Sequence, residues 1–155
     1  MKKFLLLASM LLTLSFNAFS QQPGTPDYLS VKNGFKIFKL GAYIRNYTYS
    51  VRLISDDEVQ RYEITDQNLL SVGDGIQLKR IVLYVKYGLI TNIHVLLDRK
   101  YNEKFLATLI AAYGRPDIFS SASEAFSWSN TNKSVKLTYF DKYYDDQSLA
   151  IFSNN

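Results

Sequence analysis

His94 is the only histidine in the 155 residues. It is therefore the first residue to weigh as a general base or a metal ligand. A catalytic histidine works against a nucleophile or a carboxylate held beside it. Neither Gly-x-Ser-x-Gly nor His-Glu-x-x-His occurs to supply that setting. His94 falls with Asn92 and Leu96 on one face of a β-rich run, with Ile93 and Val95 on the other. That alternation makes it a solvent-side strand residue. The chain has no cysteine, which removes thiolate nucleophiles, thiolate metal sites and dithiol redox chemistry.

Carboxylates gather in two places, Asp56-Asp57-Glu58 and Asp141…Asp145-Asp146. Calcium takes several oxygens from one loop, but neither group has the alternating spacing and central glycine of an EF-hand. A glycosidase would need two carboxylates about 5–9.5 Å apart in one cleft. Both groups sit where turns are expected, so they read as solvated turns, with a weak calcium site the next reading. Gly73-Asp74-Gly75 lacks the Lys-Ser/Thr ending of a phosphate loop, and a strand follows it rather than a helix. It reads as a turn. No cofactor and no metal is expected.

The surplus lies in aromatics: twelve tyrosines, ten phenylalanines and one tryptophan. Tyr43, Tyr47 and Tyr49 form one cluster, and Tyr139, Phe140, Tyr143 and Tyr144 form another around Asp141 and Lys142. A tyrosine offers an apolar ring with a polar tip, which suits both cores and binding surfaces, and beside carboxylates it can stack on sugars. Part of this set is needed to fill a core. The candidate binding residues are Tyr143, Tyr144, Asp141, Asp145 and Asp146, all expected in or beside a loop before the last strand.

The elements that must position these residues follow from periodicity. Gly34 to Gly41 is strand-like, Ala42 to Tyr49 reads as one or two helical turns, and Val59 to Thr65 reads as a strand. Ile76 to Tyr87 and Leu89 to Leu97 alternate apolar and polar positions about Tyr87-Gly88, which predicts an antiparallel hairpin. Phe105, Leu106, Leu109, Ile110 and Tyr113 then recur at helical spacing, and Gly114 and Pro116 supply a stop. This predicts a helix over 102–113, with Asn102 as its N-cap. Strands return at 125–129, 134–140 and 148–153. The expected class is α+β: a mostly antiparallel sheet with one main helix packed on one face.

Gly-Phe-Lys-x-Phe-x-Leu-Gly at 34–41, the hairpin closed by Gly88, Tyr113-Gly114-x-Pro116, Trp128 and Val135-x-Leu137-x-Tyr139 occur together. This set resembles a group of small exported or otherwise uncharacterised bacterial α+β domains over most of 31–153. The resemblance implies a fold and transfers no catalytic residue.

The first twenty residues carry Lys2 and Lys3, an apolar run from Phe4 to Leu14, and small residues at Ala18 and Ser20. This predicts a signal peptide cleaved before Gln21, the run being too short for the ~20 residues of a bilayer span. Pro23 and Pro26 then mark 21–30 as a flexible leader, and one domain is expected over 31–155. Removal of the two signal lysines leaves 16 basic against 14 acidic side chains. That net of two positive charges is too weak to imply nucleic acid. The expectation is a periplasmic or secreted, non-enzymatic binding or interaction module for a protein or glycan of the cell envelope. The alternatives are a glycan-binding protein or a carboxylate-dependent glycan hydrolase.

Overall fold

A computed structural model describes residues 22–73 and 75–154. The signal-peptide reading of 1–20 lies outside the described residues, as does Asp74 of the Gly73-Asp74-Gly75 turn.

The centre of the fold is the hairpin of β6 (Ile76–Lys86) and β7 (Leu89–Asp98). Tyr87 and Gly88 both take positive φ, 54° and 77°, so a two-residue turn of the kind that matches strand twist joins Lys86 to Leu89. On one side of this hairpin lie β4 (Gln60–Ile64) and β3 (Val51–Ser55); on the other lie β11 (Gln147–Asn154), β10 (Val135–Tyr144), β9 (Ala125–Ser129) and β8 (Ile118–Ser120). β5 (Ser71–Val72) pairs with the start of β6, and β1 (Gly34–Phe35) and β2 (Phe38–Lys39) form a separate small hairpin. Every pairing is antiparallel.

Register decides which side chains meet. Leu83 and Ile93 pair with each other; Ile93 also faces Phe152, which in turn faces Leu137, and Leu137 faces Trp128. These belong to one buried cluster. Helix α1 (Tyr28–Lys32) adds Leu29 to it, and helix α2 (Asn102–Tyr113) adds Phe105, Leu109 and Tyr113. Rings interlock across the layers: Phe105 lies 5.7 Å from Tyr139 and Tyr113 lies 6.5 Å from Phe152. The fold is thus mostly antiparallel sheet with one main helix, as the patterning implies, and the helices share one face of it.

Several local expectations change. The strand-like 34–41 segment is a tight hairpin, because Lys36 at φ 54° turns the chain back on itself. Gly34 makes that turn possible, since a Cβ there would sit 2.1 Å from the Phe38 carbonyl oxygen. The expected helix at 42–49 shrinks to one 3-10 turn over Ile44–Tyr47. The helix at 102–113 holds, but Tyr101 occupies the N-cap and the Asn102 side chain accepts a hydrogen bond from the Glu103 amide at 2.7 Å. Residues 22–30, expected as a flexible leader, pack on the domain. Gly24 donates to the Ala112 carbonyl at 2.8 Å, the Asp27 carboxylate accepts from the Thr131 amide and hydroxyl, and Leu29 is buried. Strands β3, β5 and β8 have no counterpart in the sequence reading.

Trp128 ties these layers together. It is fully buried in β9, and its indole N–H donates to the Gly114 carbonyl at 2.9 Å, just past the end of α2. Trp128→Ala should therefore cost about 3–5 kcal/mol of stability, read by urea unfolding. A loss below about 1 kcal/mol would place the ring outside the core.

Candidate functional site

The face of the sheet turned away from the helices is the candidate site. Successive strand residues alternate sides, so the residues between the core positions form a second surface. Along β6 it carries Arg80, Val82 and Tyr84; along β7, Leu96, His94 and Asn92; along β11, Leu149, Ile151 and Ser153; along β10, Phe140, Thr138 and Lys136. The buried residues of α1, α2 and the 3-10 turns belong to the core on the other face, so no described helix covers this one. Val82 and Leu149 are nonetheless only 6% and 2% exposed, and neither belongs to the core cluster.

At one end of this apolar tract is an ionic margin. Glu63 on β4 accepts from Arg52 on β3 at 2.9 Å and from Arg80 on β6 at 2.5 Å. The hydrogen bond from Arg52, with the nearby Arg80 charge, holds the Glu63 carboxyl below its ordinary range despite partial desolvation. Arg52, Glu63, Arg80 and Lys79 line a shallow groove of about 300 Å³. Exposed pairs of this kind add little stability. Their effect here is to border the apolar centre with charge.

His94 sits within the tract, cross-strand from Val82 and Ile151, with its ring 4.2 Å from that of Tyr84. Burial among these groups disfavours the charged imidazolium and pulls its pKa down to about 4. The ring is therefore neutral near pH 7, and its surroundings are those of an apolar contact surface. Among the described residues no carboxylate pairs with it.

The five candidate residues of the last hairpin do not act as one group. A bulge sets three residues of β10 against one of β11, since Phe140 pairs with Leu149 but Tyr144 with Gln147. Such bulges re-aim side chains. Asp141 turns to the helix layer and accepts from Asn102 Nδ2 at 2.5 Å. Tyr143 comes to the open face, its ring 6.4 Å from Phe140. Asp146 lies 3.7 Å from Lys79, which pairs with Asp98 at 2.7 Å, and Asp145 is exposed at positive φ in the turn. Tyr143 and Tyr144 lie in the end of β10 rather than in a loop, 53% and 68% exposed.

The other acidic group lies at the β3–β4 turn, where Asp56 accepts from Gln60 and Asp57 from Ser55 and Arg61. None of Asp56, Asp57, Asp141, Asp145 or Asp146 lines the groove of Arg52 and Glu63 or a second one of about 510 Å³ beside β9, so the geometry gives a paired-carboxylate hydrolase no support. Among the described residues no cluster of three or more histidine, aspartate or glutamate side chains is gathered to hold a metal. No described helix is long and apolar enough to cross a membrane.

The sequence reading found His94 and the aromatic surplus but missed the surface that unites them. The available signal was the alternation itself: Val82-x-Tyr84, His94-x-Leu96, Leu149-x-Ile151 and Phe140 put apolar or aromatic residues at the positions between core residues. A sheet with one wet face would carry mostly polar residues there. No family model, no curated protein and no solved structure matches the chain.

The His94 environment gives a checkable pH dependence. Between its ordinary value near 6.5 and its folded value near 4, the unfolded chain binds a proton that the folded chain does not. The histidine's contribution therefore falls as pH drops through that window and is constant on either side. The single imidazole resonance should titrate with a midpoint near 4, and His94→Gln should flatten the stability profile over the window. A midpoint near 6.5 would mean that the ring is solvated.

Proposed function

We propose that this protein is a non-enzymatic interaction module of the cell envelope that docks a partner protein on the open face of its sheet. The observation that carries the reading is a sheet shielded by helices on one side and presenting the partly exposed Tyr84, His94, Leu96, Ile151 and Phe140 on the other. Contiguous apolar surface of this kind, rimmed by charge, marks interaction sites.

The tract crosses four strands, β6, β7, β11 and β10, a width of about 14 Å at ordinary strand spacing. One helix is about 10–12 Å across with its side chains. The surface therefore suits an amphipathic helix whose apolar stripe lies on the tract and whose flank meets Arg52 and Arg80. Tyr143 at the bulge extends the tract toward the last hairpin, and this is the form in which the candidate 141–147 segment contributes. Lys2, Lys3 and the short apolar run Phe4 to Leu14, in the pattern of an export signal, support an encounter in the periplasm or outside the cell.

The test is site-directed photocrosslinking in the source cell. A photoreactive residue at Ile151 or Tyr84 should yield one discrete protein adduct, and the same residue at the fully exposed Tyr49 should yield none. Ile151→Asp should abolish the adduct formed from position 84 while leaving the unfolding midpoint within a few degrees. Equal labelling at Tyr49, or an adduct that survives Ile151→Asp, would overturn the reading.

A further inference from the structure

On the same open face but away from the apolar tract, at the corner of the sheet where β9 runs past the end of β8, lies the groove of about 510 Å³. We infer that this groove is a binding site for a short carboxylated saccharide. The inference stands on its own residues and does not depend on the partner-docking reading.

The groove exists because β8 pairs only with residues 125–127 of β9. Beyond that point Asp117 takes the place of a strand. Its amide donates to the Ser127 carbonyl at 2.8 Å, and its Oδ2 accepts from the Ser129 amide at 2.7 Å. The aspartate is thus fixed by the backbone and keeps Oδ1, which accepts no hydrogen bond among the described residues. Ser127 and Ser129 share one face of β9, and their hydroxyls likewise make no hydrogen bond there. Lys136 stands directly across from Ser129 on β10, half-buried, and forms no ion pair among the described residues. Ile118, 63% exposed, and Pro26 supply an apolar wall.

Each group selects against other ligands. A half-buried ammonium without a counter-ion favours a ligand that brings an anion. A free inorganic anion could meet Lys136 but has no ring of hydroxyls to donate to Asp117 Oδ1 or C–H face to rest on Ile118. A sugar hydroxyl can donate to Asp117 Oδ1 while accepting from Ser127 or Ser129, and its C–H face can rest on Ile118 and Pro26. A carboxylate on the same or the next ring then meets Lys136. The volume falls in the ordinary range of small-ligand sites, about 300–1,000 Å³.

The experiment titrates the full chain with a glucuronic acid–N-acetylglucosamine disaccharide while recording amide shifts, with di-N-acetylchitobiose as the uncharged control. The expected result is saturable shifts centred on 117, 127–129 and 136, with a dissociation constant of about 1 mM or tighter for the acidic probe. Lys136→Gln should weaken the acidic probe about tenfold and leave the neutral one unchanged, the size of one lost charged contact. Ser127→Ala, a smaller change, should weaken both probes and serves where Lys136→Gln fails to fold. Absence of saturable shifts, equal affinity for the two probes, or Lys136→Gln binding like the parent would overturn the assignment.

Discussion

The register of β6 against β7 is the constraint on which the rest of the structure depends. Because side chains alternate with period two, a slip of one residue would turn Ile93, Val95 and Leu97 to the open face and bring Asn92 and His94 into the core. The other strands of the main sheet are placed by reference to this pair, β4 and β3 outward from one side and β11, β10, β9 and β8 outward from the other. The register is held by the positive-φ pair Tyr87-Gly88, which fixes where the chain reverses. An isolated bridge between Tyr43 and Leu89, with the Ile44 amide donating to the Gly88 carbonyl at 3.0 Å, braces the same turn from outside.

The parts legible from sequence are those in which a local pattern and the tertiary demand agree. The hairpin and helix α2 are long, strongly periodic and bounded by glycine, so their limits were readable to within a residue or so. The parts not legible are set by contacts far apart in sequence. Nothing in Pro23-Gly24-Thr25-Pro26 announces that Asp27 will hold Thr131. β8 is three residues long, with Ile118 and Phe119 both mostly exposed, and a strand so short carries no alternation to detect. The bulge in β10 is invisible for a related reason: Asp141-Lys142-Tyr143 reads as a continuous stretch, and only its pairing shows that three residues face one.

The same bulge explains why the candidate site was only partly readable. Proximity in sequence placed Asp141, Tyr143, Tyr144, Asp145 and Asp146 together, whereas the backbone directs them to the helix layer, the open face, the solvent and Lys79. In contrast, His94, Val82 and Ile151 are distant in sequence and adjacent in the sheet. Histidine chemistry in this chain is governed by desolvation rather than by a partner. That leaves a neutral ring near pH 7.

The clasp between Asp27 and Thr131 spans 104 positions of the chain. It joins the first described turn to the hairpin of the strands made near the end. During synthesis the residues that close the fold emerge first and must wait for their partner until nearly all of the sheet exists. Contacts of this separation slow folding, because loop closure is costly before they can form. A domain closed in this way lacks a self-sufficient N-terminal half. It remains unfinished until its last strands have been delivered.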